Sequence, residues 1–575
     1  MSAVELVNSD VDRCVRKAER PPTTALKGRC KNFPGDRSWP TNRDWAQLNS
    51  TVGGRLRASH PLGSACHDPE YVAETCENLK KTWAFSGTFL ESAPDILAPI
   101  FQNHSCDPFS ARELPCRLGN YAPYSVAVAG ASDIQAAIRF AATHSIRLVI
   151  KNTGHDFLGR STGAGSLSLW THGLKDIKVM KKYSGPLDYT GPAVRMGAGI
   201  TFNDIRSTLE KQGLRILAGT CPNVGIVGGY TSGGGHGLLT SVYGLAADNV
   251  LEWEVVTAEG KHVTVSPKSH QDLYWALSGG GAGTFAVVVS TTVRAFPDGT
   301  VSGAKTYLDV ASAGGDIDRF WSTVTNFQSN LGPLVDEGAL VAYTLSATSL
   351  DVHAIAFPDR GVVSTKKLLE PLRGAVALTG VSIPLNVTQH PTILDMFDFY
   401  FSTVFSSIPE AQVTGGRLVP RALLGSQDSA ERITKAFRVA VEAGFAVTCV
   451  ATNASKPPLY SNAVFPQWRS SLLQCIVRAT WEFTVPWKDM LAVQNKLTTV
   501  IMPAIEKVTP GGGVYMNEAN FEQPNWQREL YGDNYAQLKK VKSLYDPSGL
   551  FYSRTGVGSE EWKEDLESSG RLCKL

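Results

Sequence analysis

The chain runs to 575 residues, 43% hydrophobic and 19% charged, with a formal net charge of only +2 at pH 7. That length is too great for one hydrophobic core, and at about 150 residues per domain it predicts roughly two to four of them. The near-neutral balance, without long blocks of like charge, excludes a nucleic-acid footprint or an acidic tail. No apolar run reaches the ~20 residues that span a bilayer, so a soluble monomer with small-molecule partners is expected.

Residues 1–105 are rich in Pro, Gly and Cys, a composition that predicts an irregular, disulfide-stapled extension. Of the ten cysteines, Cys14, Cys30, Cys66, Cys76, Cys106 and Cys116 fall early, ahead of Cys221, Cys449, Cys475 and Cys573. None has the CxxC spacing of a zinc site or redox pair, whereas Cys66/Cys76 and Cys106/Cys116 can each close a short loop. Sequons stand at Asn49, Asn103, Asn386 and Asn453. The opening "MSAVELVNSDVDRCVRKAER" lacks the apolar core of a signal peptide. A secreted, disulfide-bonded glycoprotein whose signal peptide has been removed is therefore expected.

Regular structure is expected across residues 106–300. "ASDIQAAIRFAATHS" has Ser132 as N-cap and Ile134, Ala137, Ile138, Ala141 and Ala142 at helical spacing, leading into the short apolar strand "IRLVIK". A second unit repeats this logic: Thr201 caps "TFNDIRSTLEKQG" with Asp204 three residues on, and Gly213 closes it before "LRILAG". "NVLEWEVVTAEGKHVTV" predicts a hairpin around Glu259-Gly260, and "GTFAVVVSTTVRAF" a buried strand. Residues 301–500 alternate strands such as "GALVAYTLSA" and "DVHAIAF" with helices such as "STKKLLEPLRG", the pattern of a separate α+β domain. Residues 501–575 return to a helix and turn placed to rejoin the first domain.

Each of the two strands after a helix runs into a glycine-bearing loop, "KNTGHDFLGRSTGAG" or "TCPNVGIVGGYTSGGGHG", the place where α/β proteins hold ligands. Glycine lets main-chain N–H groups approach a ligand closely, which suits a diphosphate. Neither loop is a P-loop, and "GGGAGTFA" at 279–286 precedes its strand where a dinucleotide fingerprint follows one. For Cys221 this leaves a disulfide, a metal, a nucleophile or a close ligand contact open. His155 stands at the equivalent junction of the other loop.

"NTGHD" together with "TCPNVGIVGGYTSGGGHGLLTSVYGLAADNV" resembles the flavin-binding domain of the vanillyl-alcohol oxidase superfamily, specifically berberine bridge enzyme-like oxidases. "VYMNEANFEQPNWQRELYGDNYAQLKKVKSLYDPSGLF" is similar to that group's closing segment, with its Y-x-N, G-x-N-Y and YDP landmarks. The likeness covers residues 105–300 and 500–555 and points to fungal secreted, isoamyl alcohol oxidase-like members. It implies an α+β, two-domain PCMH-type flavoprotein, with an FAD-binding domain and an antiparallel-sheet substrate domain. FAD would be joined through His155 to the flavin 8α carbon and through the Cys221 sulfur to C6. Asn152, Thr153, Gly154, Asp156, Ser161, Gly225, Gly228, Gly229, Gly234, Gly235 and Gly237 would cradle it, with Asn249, Val250 and Asn534 adding contacts. Val224, three residues after the cysteine, favours O2 as electron acceptor. With Cys221 linked to flavin, nine cysteines remain and at least one is unpaired, Cys573 being the candidate.

The reaction implied is hydride transfer from a C–H beside an alcohol oxygen or an amine, followed by reoxidation that yields hydrogen peroxide. An alcohol needs a base for its hydroxyl proton. Tyr515, with Asn517 two residues on, keeps the family's Y-x-N, but His236 replaces a tyrosine of the glycine string, and Gln474 and Ile476 replace a lysine and a glutamine. Tyr515, His236, Gln474 and Asn517 are the candidate catalytic residues, and no metal ligand set is expected. A dehydrogenase with another acceptor, or a flavin-retaining binding protein without turnover, are the alternatives.

Overall fold

The computed structural model describes residues 30–185, 188–402, 408–565 and 569–575. Its first sheet orders strands Leu56–Ala58, Tyr124–Ala127, Ser166–Trp170 and Arg147–Lys151, the last three mutually parallel. A second, antiparallel sheet orders Ile177–Met180, Ala193–Gly197, Val287–Arg294, Val250–Val256 and His262–Val265. The hairpin around Glu259-Gly260 is present as expected, pairing Val256 with His262.

The helix Ala131–Thr143 takes Gly130 as its N-cap instead of Ser132. No side chain caps the first-turn N–H groups; buried Asp133 instead fastens the chain entering the helix, accepting from Ala129 N–H at 2.9 Å and pairing with Arg55. At Phe202–Lys211 the expected capping box forms, Thr201 and Asp204 each accepting the other's backbone N–H. Gly213 follows at φ +62°, but "LRILAG" contributes only Leu214–Arg215 as strand.

The N-terminal stretch is more regular than its composition suggests. It holds helices Asn42–Thr51 and Ala73–Thr82 and an edge strand of the first sheet, and Trp83, Phe89 and Leu97 bury into the core of the seven-stranded sheet described next. That sheet is antiparallel throughout, in the order Thr388–His390, Val301–Asp309, Ser349–Pro358, Leu340–Leu345, Ala446–Ala451, Ser471–Thr480, Gln412–Pro420. Side chains alternate across a strand. Tyr343, Val447, Cys449, Cys475 and Val477 face a buried core with helices Ile317–Ser329 and Gln427–Glu442, leaving Thr344, Thr448, Gln474, Ile476 and Arg478 on the opposite face.

The C-terminal segment returns to the first sheet, where Phe551 bridges Leu148. Lys542 fastens it: its ammonium donates to Thr284 O, Phe551 O and the Asp546 carboxylate, all at 2.6 to 2.7 Å. Disulfides join Cys66 to Cys76 and Cys106 to Cys116, as the spacings suggest. Cys573 is not unpaired, because the returning segment brings it to Cys30, and Cys449 and Cys475 bond as directly opposed residues of neighbouring strands. Cys221 is the free thiol among the described residues, while Cys14 lies outside them. No helix of the described residues is long and apolar enough to cross a membrane.

Candidate functional site

The two glycine loops and the open face of the seven-stranded sheet enclose a cavity of about 370 Å³. Its wall includes Asn152, Thr153, Gly154, His155, Asp156, Ser161, Cys221, Val224, Gly225, Gly228, Gly229, Gln474, His236, Tyr515 and Asn517, so most of the residues singled out from sequence meet in one place.

Local order explains the loop positions. Asp156 gathers its loop by accepting from the backbone N–H groups of Leu158, Arg160 and Ser161. Asn152 donates to Ala198 O at 2.8 Å and lies 3.0 Å from His172 Nδ1. A Cβ on Gly225 would stand 2.1 Å from that Asn152 amide, so glycine is required there by close packing. At Gly228 and Gly229 a Cβ would meet nothing within 4 Å: these two present bare backbone to open space, a surface against which a flat ligand can lie.

At one end of the cavity, Cys221 Sγ lies 3.5 Å from His155 Nε2 and 3.3 Å from Glu410 Oε1, which is itself 3.2 Å from His155 Nε2. The other Glu410 oxygen accepts from Ser86 N–H at 2.7 Å. Burial opposes ionisation of Glu410, but His155 and Ser86 override it and bring the carboxyl down to about 2. Burial likewise opposes a charged His155, yet Cys221 and Glu410 together carry the imidazole well above its ordinary value. The three donor atoms lie within 4.8 Å of one another, a grouping of N, S and O that also suits a divalent cation. Sequence spacing gave no sign of it, since Glu410 comes from a loop 255 residues away from His155.

The other end is built of rings. His236, Trp468 and Tyr515 pack mutually at centroid separations of 5.2 to 5.5 Å. Asn517 donates to the Tyr515 hydroxyl at 2.7 Å and to Gly229 O at 2.9 Å. Burial, aided by the Glu518 charge, pushes the Tyr515 phenol far up and keeps it protonated. His236 Nε2 stands 3.3 Å from Glu518 Oε1, while Glu518 Oε2 and the Gln474 Nε2 amide are buried without partners. Against an ionised Glu518 the imidazole donates from Nε2, an arrangement in which Nδ1 is the acceptor of the neutral ring. Glu518 belongs to the "YMNEAN" run, so its neighbours in sequence were the available signal.

Six expected cofactor contacts do not line the cavity. Asn249 spends its amide on Tyr243 O and Leu245 O, and Val250 starts a buried strand whose carbonyl accepts from Tyr274. Asn534 ties the C-terminal segment to Ala463 O and Val464 O. Gly237 and Gly235 are glycines because Ala218 O and the Tyr230 ring leave no room for a Cβ, and Gly234 needs its φ of +116°. They shape the turn carrying His236, and their glycine density has a packing cause.

A family model described as "FAD binding domain" matches residues 122–266, and one described as "Berberine and berberine like" matches residues 514–558. The "VAO-type flavoprotein oxidase VAO615" of Thermothelomyces thermophilus is 42% identical over 555 residues, spanning 95% of each chain. The crystal structure of the VAO-type flavoprotein MtVAO615 from Myceliophthora thermophila C1 superposes with a TM-score of 0.90 at 41% identity, over 95% of this chain and all of that one. A glucooligosaccharide oxidase from Acremonium strictum, described with a "6-s-cysteinyl, 8 alpha-N1-histidyl FAD", shares the fold at a TM-score of 0.61 and 17% identity, over 76% of this chain and 92% of that one.

Proposed function

Because this chain belongs to the berberine bridge enzyme-like branch of the FAD-linked vanillyl-alcohol oxidase superfamily, we propose that it is a secreted, monomeric oxidase carrying FAD bound through both His155 and Cys221. FAD-dependent oxidoreduction follows from the family. The observation that carries the finer reading is the convergence of the His155 imidazole and the free Cys221 thiol, 3.5 Å apart, beside the bare backbone of Gly228 and Gly229.

The residues fit the cofactor. Glu410 accepts at His155 Nε2, which leaves Nδ1, once it has given up its proton, as the nitrogen for carbon attachment, and Cys221 Sγ is near enough to reach a neighbouring position of the same ring system. Bound FAD would supply the hydride acceptor for the substrate C–H, with O2 as the proposed final acceptor and hydrogen peroxide as its product. The chain's own part is proton handling and orientation. His236, its Nε2 turned to Glu518, takes the substrate hydroxyl proton at Nδ1, a role that the phenol of Tyr515, held protonated by burial, does not fill. Tyr515, oriented by Asn517, and the unpartnered Gln474 amide donate to the substrate oxygen. Val224, on the cavity wall beside Cys221, leaves room for oxygen to approach.

Denaturing electrophoresis followed by ultraviolet illumination checks the attachment: the protein band should fluoresce, and flavin released wholly into an acid supernatant would remove the reading. Peroxide release during a screen of alcohols and amines checks the oxidase assignment, and slow reoxidation of photoreduced protein in air would favour a dehydrogenase. A zinc-bound, flavin-free protein after purification would select the metal reading of His155, Cys221 and Glu410.

A further inference from the structure

The sheet side of the cavity carries one permanent cation among the described residues, Arg478, at the cavity-facing end of a row formed by Gln474, Ile476 and Arg478 on the strand Ser471–Thr480. Its guanidinium donates to Thr448 Oγ1 at 3.2 Å and reaches Gln412 Oε1 at 3.5 Å, which leaves most of its five N–H donors unused. No carboxylate of the described residues pairs with it. The three carboxylates on the cavity wall are committed elsewhere: Asp156 to its own loop's N–H groups, Glu410 to His155 and Ser86, Glu518 to His236. Asp351 lies 3.6 Å from Nδ1 of His353, whose imidazole is held below its ordinary value chiefly by burial and also by the Arg478 charge. Burial also lowers Arg478 itself, with no opposing charge to offset it. A half-buried arginine without a counter-charge is costly in a folded chain unless an anion completes it.

Arg160, the other arginine on the wall, differs on each point. It sits on the loop side and gives its donors to Arg554 O and Thr555 Oγ1. Arg478 lies across from the loops, on the surface that faces any substrate resting over them.

We propose that Arg478 is a specificity-determining residue that receives a carboxylate carried by the substrate, so that the substrate class is an alcohol or amine bearing an organic acid group. The planar fork of the guanidinium matches a carboxylate bidentately, which an ammonium in its place would not do. Gln474 pairs with Leu418, whose side chain packs in the same cluster as Trp468 and Tyr515. Four residues of strand therefore separate the ring end of the cavity from Arg478, about 13 Å. The acid group sits that far from the carbon that reacts, which calls for an extended molecule in preference to a short 2-hydroxy acid.

As a substrate assignment this rests on the oxidase reading, but the binding step can be tested apart from turnover. Titration calorimetry of the flavin-loaded full chain at pH 7 would use straight-chain carboxylates from hexanoate to dodecanoate, each beside its methyl ester. At least one acid should bind about 10- to 100-fold more tightly than its ester. Arg478→Met should abolish that difference while leaving ester binding unchanged, and Arg478→Lys should restore part of it. Melting temperature and flavin spectrum of each variant establish that it has folded, and Arg478→Gln serves if the methionine variant does not. Acids bound no better than their esters, or a preference that survives removal of the guanidinium, would overturn the proposal. Missing peroxide or acid-released flavin would instead count against the oxidase reading and leave this result standing.

Discussion

At the His155 end of the cavity three heteroatoms from three distant loops stand within 3.5 Å of one another, whereas at the His236 end three rings pack around a single imidazole–carboxylate contact. The first end is electrostatic, with a carboxylate held ionised against its burial and an imidazole held charged against its own. The second end is desolvated, with a phenol held protonated by burial beside one histidine. The same pair of residue types, His and Glu, thus stands in two different surroundings, which suit the two purposes proposed for them.

The strongest way to break this contrast is at the anchors. His155→Ala combined with Cys221→Ala should lose all covalent flavin, while each single variant should keep a fluorescent band on a denaturing gel; a band surviving in the double variant would mean that the linkage lies elsewhere. Next comes the proton acceptor. Stopped-flow flavin reduction by a turned-over alcohol should slow by roughly a hundred- to ten-thousand-fold in His236→Ala, with a much smaller loss in Tyr515→Phe. Equal losses would move the base to the phenol.

Glu410→Gln sharpens the electrostatic side. Removing one charge of a buried hydrogen-bonded pair should cost the flavin-free protein about 1 to 3 kcal/mol. The depressed Glu410 contributes stability that is present above the ordinary carboxylate range and is lost as pH falls through about 2. The raised His155 contributes stability that is full below the ordinary imidazole value and fades as pH climbs through its raised one. Urea melts should thus show the wild type losing more than Glu410→Gln between about pH 4.5 and pH 2, and parallel curves would assign the pair no energetic role. The smallest effect is expected at Asn249→Ala, about 1 kcal/mol from its lost turn contacts, with flavin content unchanged because Asn249 does not line the cavity.

What the sequence made legible was local. His155 and Cys221 stand at matching strand-to-glycine junctions, Thr201 and Asp204 sit at capping-box spacing, and the ten-residue cysteine pairs could be matched by counting. Glu410 and Arg478 escaped because no motif marks them; sheet register and long returns of the backbone bring them to the cavity, whereas Glu518 directly follows the candidate Asn517 and could have been found from it. Asn249 and Asn534 differ in the opposite direction. Motif membership placed them at the cofactor, whereas neither lines the cavity and their amide nitrogens donate to backbone carbonyls around them. Gly235 and Gly237 teach the same point, since a glycine run records close backbone packing as readily as a ligand.

The bond between Cys30 and Cys573 spans a sequence separation of 543, and it turns nearly the whole described chain into a closed ring. A protease that nicks any exposed loop inside the ring cannot release a fragment: both ends of the cut stay on one molecule, with the flavin loops and the sheet still joined. In a medium rich in proteases such an enzyme would be cut and yet remain whole, migrating as a single species until a reductant opens the ring.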